Sequence, residues 1–93
     1  MKEKDIERYL CQRAQARGGA AYKLILFTGA GFPDRTVLLP GGRIAFIECK
    51  APGKKPTTLQ TAWLTKLQCW GFRATWVDTL DSVEAVLNEI YPL

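Results

Sequence analysis

The residues best suited to chemistry lie in one predicted hairpin. Asp34 and Glu48 stand on either side of Pro40-Gly41-Gly42, a sequence that predicts a tight turn between two strands. If the turn is centred on Gly41, Asp34 lies directly opposite Glu48. Facing carboxylates with Cβ atoms about 5 Å apart oppose folding unless a cation lies between them. The spacing therefore predicts a cation site.

Lys50 belongs to the same predicted site. Side chains alternate between the two faces of a strand, so Lys50 shares a face with Glu48 while Ile47 and Cys49 point into apolar packing. Oxygen ligands in small number, without a nearby histidine, suit Mg²⁺ or Mn²⁺ better than zinc. Such an ion activates water and stabilises the charge that develops during phosphodiester hydrolysis, and a neighbouring lysine can orient the water.

The same residues also have plain structural interpretations. Asp34 could be a turn residue, and Glu48 and Lys50 could form the solvent face of an edge strand. Their surroundings favour the metal site, because the charges are predicted to end a buried apolar stripe. That stripe consists of Leu38, Ile44 and Phe46.

Composition removes several other mechanisms. The chain has 93 residues with three cysteines and no histidine. Without imidazole, Ser-His-Asp and Cys-His hydrolysis and histidine-metal nucleases are excluded. The cysteines have no C-x-x-C spacing and are predicted to be reduced thiols. With no apolar run long enough to cross a bilayer and no signal peptide, we expect one domain over residues 1–93 in the cytoplasm of a bacterium or phage-infected host.

The charge favours an anionic partner. The chain has a formal net charge of +4, with 13 Lys and Arg against 9 Asp and Glu, and residues 75–93 hold acids but no Lys or Arg. Nucleic acid is the commonest partner of such a basic body. The candidate DNA contacts are Arg35, Arg43, Lys54 and Lys55, which could equally be solvated surface residues.

These residues must be positioned by seven helices and strands in the order αβββαβα. The predicted elements are a helix over 3–17, strands over 21–27, 34–39 and 43–50, a helix from a T-x-x-Q capping box at residues 57–60 to residue 70, a strand over 73–77 and a helix opening at 81–84. They imply an α/β fold with a four-stranded mixed sheet flanked by helices. The helix from residue 57 is predicted to bury Leu59, Trp63, Leu67 and Trp70, so its tryptophans are interpreted as core or interface residues and not as stacking platforms for bases.

The hairpin residues carry a family resemblance. Pro33-Asp34 followed by Glu48-Cys49-Lys50 resembles the PD-(D/E)XK nuclease signature. An acidic residue on the first helix, G-x-P-D-R, the I-E-C-K-A strand and T-x-x-Q on the next helix resemble the VRR-NUC family over about residues 5–70.

That resemblance implies a restriction-endonuclease-like fold and a divalent-metal-dependent DNA nuclease. It assigns metal ligation to Asp34, Glu48 and the backbone carbonyl of Cys49, and the catalytic lysine to Lys50. The small members of the family further imply a homodimer acting on branched DNA such as a four-way (Holliday) junction.

Two further residues are assigned by the resemblance and have structural alternatives. Glu7 matches a helix acid that completes the metal site directly or through water, but it could be an ordinary charged residue of a helix surface. Gln60 matches a glutamine with a catalytic part and could also serve only in the capping box.

Three other functions remain open from the sequence. The chain could be a DNA-binding accessory module that does not cut, a nuclease subunit targeted by a larger partner, or an RNA nuclease on the same fold.

Overall fold

A computed structural model describes residues 1–26 and 29–93. The elements in chain order are α1 (Glu3–Ala16), β1 (Ala20–Tyr22), β2 (Arg35–Leu39), β3 (Arg43–Cys49), α2 (Thr58–Cys69), β4 (Arg73–Val77) and α3 (Leu80–Ile90). This order is the predicted αβββαβα, and the α/β class with a four-stranded mixed sheet is confirmed.

The sheet has the strand order β1-β2-β3-β4. The first three strands are antiparallel neighbours, and β4 pairs with β3 in parallel after the crossover through α2. In the hairpin Leu39 pairs with Arg43 and Arg35 pairs with Ile47, so the turn is centred on Gly41 as predicted. Gly41 and Gly42 both have positive φ, at 82° and 72°, which glycine adopts without steric cost.

The two faces of the sheet are covered unequally. Helices α1 and α3 pack over one face and enclose the larger core, which includes Ile6, Leu10, Val37, Ile47, Cys49 and Leu87. On the other face α2 packs mainly over β4, where Leu64 and Leu67 contact Ala74 and a smaller aromatic cluster. A single helix about 10 Å wide spans only about two strands spaced ~4.8 Å apart, so the β1–β2 half of this face has no helix over it.

The predicted apolar stripe is therefore wrong in part. Phe46 packs in the smaller cluster, but Leu38 is 41% exposed and Ile44 is 42% exposed. The predicted buried positions of α2 also need correction. Leu67 is buried as predicted, but Leu59 and Trp70 are exposed, and Leu64 is buried instead. Helical spacing identified a continuous apolar stripe along α2, but the helix packs on the sheet through the adjacent side, which carries Leu64 and Leu67.

Element boundaries differ from the prediction by one residue at several helix and strand ends and by more in β1. Strand β1 ends at Tyr22, and the end of the predicted strand over 21–27 lies outside the described residues. Helix α3 begins at Leu80, because the side chain of Thr79 accepts a hydrogen bond from the backbone N–H of Ser82. Across residues 1–26 and 29–93, none of the helices has the length and apolar character needed to cross a membrane.

Candidate active site

The predicted chemical residues meet where β2 begins and β3 ends. Asp34 directly precedes β2, and the hairpin register places it opposite Glu48. The Asp34 carboxylate accepts a hydrogen bond from the backbone N–H of Cys49, with an N–Oδ2 distance of 3.0 Å. This bond fixes the carboxylate across the hairpin, beside Glu48.

Glu48 is buried, with 2% of its surface exposed. Its Oε2 atom accepts a hydrogen bond from Gln60 Nε2 at 3.2 Å and lies 3.5 Å from Lys50 Nζ. Its Oε1 atom is buried and has no hydrogen-bond partner within the described part of the chain. An ionised carboxylate with an unsatisfied buried oxygen is costly, and a bound cation would satisfy it.

The environment makes Glu48 an unusually weak acid. Burial and the nearby charge of Asp34 raise the pKa of Glu48 to about 7, against a partial lowering by Lys50. Burial and the nearby charge of Asp34 also raise the pKa of the Cys49 thiol, which packs in the core and remains protonated. The Cys49 side chain thus plays no ligand role, and only its backbone carbonyl is a candidate.

Gln60 uses both ends of its side-chain amide. Thr57 N–H donates to Gln60 Oε1 at 2.9 Å, while Gln60 N–H donates to Thr57 Oγ1 at 3.2 Å. These bonds form the predicted capping box at the start of α2. Nε2 also donates to Glu48, so the capping role leaves this end of the amide in contact with the site, and a catalytic part for Gln60 remains a prediction.

The donor set fits a hard divalent cation. Two facing carboxylates, one of which has an unsatisfied oxygen, are the kind of ligands that Mg²⁺ and Mn²⁺ prefer. Within residues 1–26 and 29–93, no three His, Cys, Asp or Glu side chains are grouped closely enough to hold an ion by themselves. The remaining ligands would therefore be water and backbone oxygen, as is usual for Mg²⁺.

Glu7 lies on α1 and is engaged by two basic side chains. Its Oε1 atom is 3.4 Å from the Arg35 guanidinium and 3.9 Å from Lys23 Nζ. Its charge contributes to the raised pKa of the Cys49 thiol, as expected for a group near the C-terminal end of β3. A metal role for Glu7 remains a prediction. To bind an ion, Glu7 would first have to release Arg35 and Lys23.

The structure separates the four predicted DNA contacts. Arg35 lies beside Asp34 and faces Glu7. Lys54 and Lys55 are exposed in the loop between β3 and α2, next to the site. Arg43 lies at the opposite end of the hairpin, where its guanidinium stacks over the Tyr91 ring at 5.0 Å, and the fold does not bring it to the site.

Sequence reasoning missed two features at the site. Lys23 supplies a second cation to Glu7 but looked like part of a strand. A groove of about 290 Å³ also borders Asp34, and its lining includes Lys23, Phe32 and Pro33. The apolar composition of residues 24–26 was the available signal for this groove, but the same composition is equally typical of a buried strand.

Taken together, the sheet, the helices and the paired carboxylates define a protein of the restriction-endonuclease-like fold. No protein-family model matches the chain. A solved structure described as a VRR_NUC domain superposes with a TM-score of 0.89 and 29% identity over 98% of this chain and 99% of that one. A second, described as a VRR_NUC domain protein, has a TM-score of 0.77 and 16% identity over 97% of this chain and 88% of that one, which bears on the fold alone.

The sequence comparison agrees. The protein named Putative nuclease p44 of Acyrthosiphon pisum secondary endosymbiont phage 1 is 41% identical over 81 residues, which are 87% of each chain. The chain belongs to the VRR-NUC family, so the family predicted from the hairpin motif is confirmed.

Proposed function

We propose that the protein is a divalent-metal-dependent endonuclease that hydrolyses DNA phosphodiester bonds. The observation that carries the proposal is the pairing of Asp34 with Glu48, whose buried Oε1 lacks a partner among the described residues. Lys50 stands 3.5 Å from the same carboxylate. Membership of the VRR-NUC family supports the same conclusion.

Asp34, Glu48 and the Cys49 carbonyl would hold Mg²⁺ or Mn²⁺. When bound, such an ion supplies a Lewis acid that lowers the pKa of water and neutralises charge on a phosphate oxygen. The two carboxylates would bind the ion in their ionised form, which requires Glu48 to release its proton.

Lys50 and Gln60 orient the remaining groups. The Lys50 ammonium donates hydrogen bonds to the attacking water and to the nonbridging phosphate oxygen, where negative charge increases in the transition state. Gln60 donates to Glu48 Oε2, which leaves Glu48 Oε1 as the oxygen that would hold the ion. Glu7 would help to hold the ion through water once its ion pairs with Arg35 and Lys23 open.

DNA would approach along the basic loop beside the site. Lys54 and Lys55 are exposed there and are suited to contact phosphates on either side of the cut. Arg35 contributes to the local positive potential next to Asp34. Arg43 is too far along the hairpin to act at the same phosphates, and a contact from it would involve a remote part of the substrate.

We further propose that the protein acts as a homodimer on branched DNA such as a four-way junction. The support is an uncovered apolar row across the sheet face, made of Leu38, Ile44 and Phe72, each between 41% and 42% exposed. The row carries no charge, since Arg43 and Arg73 at the same strand ends turn to Tyr91 and Glu89 on the opposite face. Two copies with net charge +4 can approach through such a neutral surface without placing like charges together.

We also propose that the protein acts in the cytoplasm of a bacterial or phage-infected cell. Cys11, Cys49 and Cys69 are all free. Free thiols are typical of a reducing compartment, which supports this proposal.

The deciding experiment is cleavage of end-labelled four-way-junction, flap, single-stranded and linear duplex DNA in Mn²⁺, with Lys50→Ala alongside. Paired cuts selective for the junction and absent with Lys50→Ala are expected. Equal cutting of linear and branched DNA would leave the nuclease standing and remove the junction preference. An RNA strand tests the ribonuclease alternative, and binding without any cutting would favour an accessory module or a subunit that needs a partner.

A further inference from the structure

Helix α2 presents an exposed apolar and cationic stripe that the proposed chemistry does not use. Leu59, Trp63, Lys66 and Trp70 follow one another at intervals of four, three and four residues, which places them on one side of the helix. Trp70 is 62% exposed and Leu59 is 53% exposed. Within this stripe, called here the α2 stripe, Trp63 is half-buried and packs against the smaller core cluster, so the exposed surface comes from the other three residues. The helix reaches the core mainly through Leu64 and Leu67.

Lys66 is held between two indole rings. Its Nζ atom lies 4.9 Å from the Trp63 ring centroid and 5.9 Å from that of Trp70. Over the described ranges 1–26 and 29–93 Lys66 forms no ion pair, and α2 contains no Asp or Glu. The ammonium is therefore ordered by aromatic faces and still available to an anion.

The α2 stripe begins at the candidate active site. Gln60, in the first turn of α2, donates to Glu48, and Leu59 next to it packs against Gly31 in the loop that leads to Asp34. A shallow groove of about 110 Å³ lies along the first part of the stripe, between Leu59 and Lys66. With a rise of ~1.5 Å per residue, the stripe continues for about 16 Å from Leu59 to Trp70.

We propose that the α2 stripe binds an unpaired strand of nucleic acid that leads to or from the active site. Bases stack on the exposed Trp70 ring and on Leu59, and Lys66 contacts a phosphate between them. A stripe of about 16 Å is long enough to contact a few successive nucleotides of one strand. This inference rests on the proposed nuclease function and assigns to it a substrate with unpaired nucleotides beside the scissile bond.

The charge of the α2 stripe favours nucleic acid over a protein partner. A protein–protein contact centred on the two tryptophans would bury the Lys66 ammonium, which has no carboxylate of its own to pair with. A nucleic acid strand supplies both a π-face for the rings and a phosphate for the ammonium.

The test measures binding without cleavage. Labelled oligothymidine and a duplex of equal length are titrated with the protein in EDTA, following anisotropy and tryptophan fluorescence. Trp70→Ala should weaken binding of oligothymidine by about five-fold or more, and Trp70→Phe should retain most of the affinity. Lys66→Gln should weaken binding and reduce its salt dependence.

Two matched controls keep the result specific. Tyr22 is 60% exposed on the sheet, so Tyr22→Ala removes an equally exposed aromatic side chain away from the α2 stripe. Lys4→Gln removes one positive charge from α1. Neither control should change the affinity as much as its counterpart on the stripe.

Three results would overturn the inference. One is a Trp70→Ala protein that binds oligothymidine as tightly as the Tyr22→Ala protein does. Another is equal weakening by Trp70→Ala for duplex and unpaired strands. The third is loss of self-association on sedimentation of Trp70→Ala with DNA binding unchanged, which would make the stripe a protein interface. Metal-dependent cleavage by the wild-type protein in the same preparation would show that the proposed nuclease stands even where the strand-binding inference fails.

Discussion

At the scale of single residues, Glu48 determines how the site responds to pH. Its pKa is raised to about 7 by burial and by Asp34, from an ordinary value of 4.5. Between those values the folded protein binds a proton at Glu48 that the unfolded chain has released. The free energy of unfolding of the metal-free protein therefore falls as pH rises through this range, by up to roughly 3 kcal/mol from this group.

Glu48→Gln removes this titration while keeping the side chain's size. We expect the stability difference between wild type and Glu48→Gln in EDTA to change with pH, the wild type becoming relatively less stable from about pH 5 to about pH 8. Urea unfolding at a series of pH values measures it. Parallel stability curves for the two proteins would contradict the raised pKa.

Mn²⁺ should reverse the trend for the wild type. Because the ion needs the ionised carboxylates, the rise in Tm on adding Mn²⁺ should be larger at about pH 8 than at about pH 5. Asp34→Asn should abolish the rise. A rise of equal size at both pH values would place the ion elsewhere on the protein.

Gln60 offers a second test of the same carboxylate. Gln60→Glu keeps an oxygen that can accept from Thr57 N–H but replaces the donor to Glu48 with a third carboxyl group. We expect Gln60→Glu to keep the helix cap and to raise the pKa of Glu48 further, whereas Gln60→Ala costs about 0.5–1.5 kcal/mol of stability. Cleavage rates measured against pH should shift their acidic limb upward in Gln60→Glu, and an unchanged limb would show that the contact with Glu48 does not affect its ionisation.

At the scale of elements, Arg17 ties α1 to α3. Its side chain is buried and donates to Glu84, to Asn88, and to the carbonyl groups of Tyr91 and Arg13. Glu84 is also paired with Arg13, and these partners lower the pKa of Glu84. These hydrogen bonds and ion pairs hold α3 against α1, the helix that carries Glu7.

We expect Arg17→Met to destabilise the protein by about 2–4 kcal/mol, because it leaves several polar groups without partners. Arg8→Met is a suitable control, since Arg8 forms only an exposed pair with Asp5 and should cost less than about 1 kcal/mol. Chemical denaturation measures both changes. Similar losses for the two variants would mean that the buried network contributes no more than a surface ion pair.

The elements also indicate how far the sequence alone could reach. The register followed from Pro40-Gly41-Gly42 because a short turn with two left-handed glycines leaves little freedom, and it placed Asp34 opposite Glu48 correctly. The exposure of Leu38 and Ile44 could not be predicted in this way. Alternation assigns residues to a face, but only tertiary packing decides which part of that face the single helix α2 covers.

The surroundings of Glu7 show the same limit within the site. The family resemblance predicted that Glu7 lies near the site at the end of β3. The pairing of Glu7 with Arg35 and Lys23 was not predictable, because it depends on how α1 crosses the sheet. No local pattern encodes such a contact between distant segments. The capping box of Thr57 and Gln60 was predictable because both residues lie within one helical turn.

At the scale of the whole molecule, the neutral row on the sheet predicts self-association. Ile44→Glu would place a carboxylate in the proposed interface and should shift a dimer to monomer in sedimentation velocity at micromolar concentration. Leu93→Glu makes a similar change at the exposed C-terminal residue and should leave the dimer intact. A wild-type protein that sediments only as monomer would remove the dimer, while leaving the metal site unaffected.

The double use of Gln60 links the opening of a helix end to the readiness of the catalytic centre. Helix ends fray, and when the first turn of α2 unwinds, the Thr57 amide and the Glu48 carboxylate lose the same side chain at once. Ion binding at Glu48 should therefore slow hydrogen–deuterium exchange at the amides of Thr57 and Gln60. In the opposite direction, a mutation that loosens the start of α2 without contacting Glu48 should weaken ion binding at the proposed site, because the local unfolding equilibrium of this turn would set part of that site's affinity.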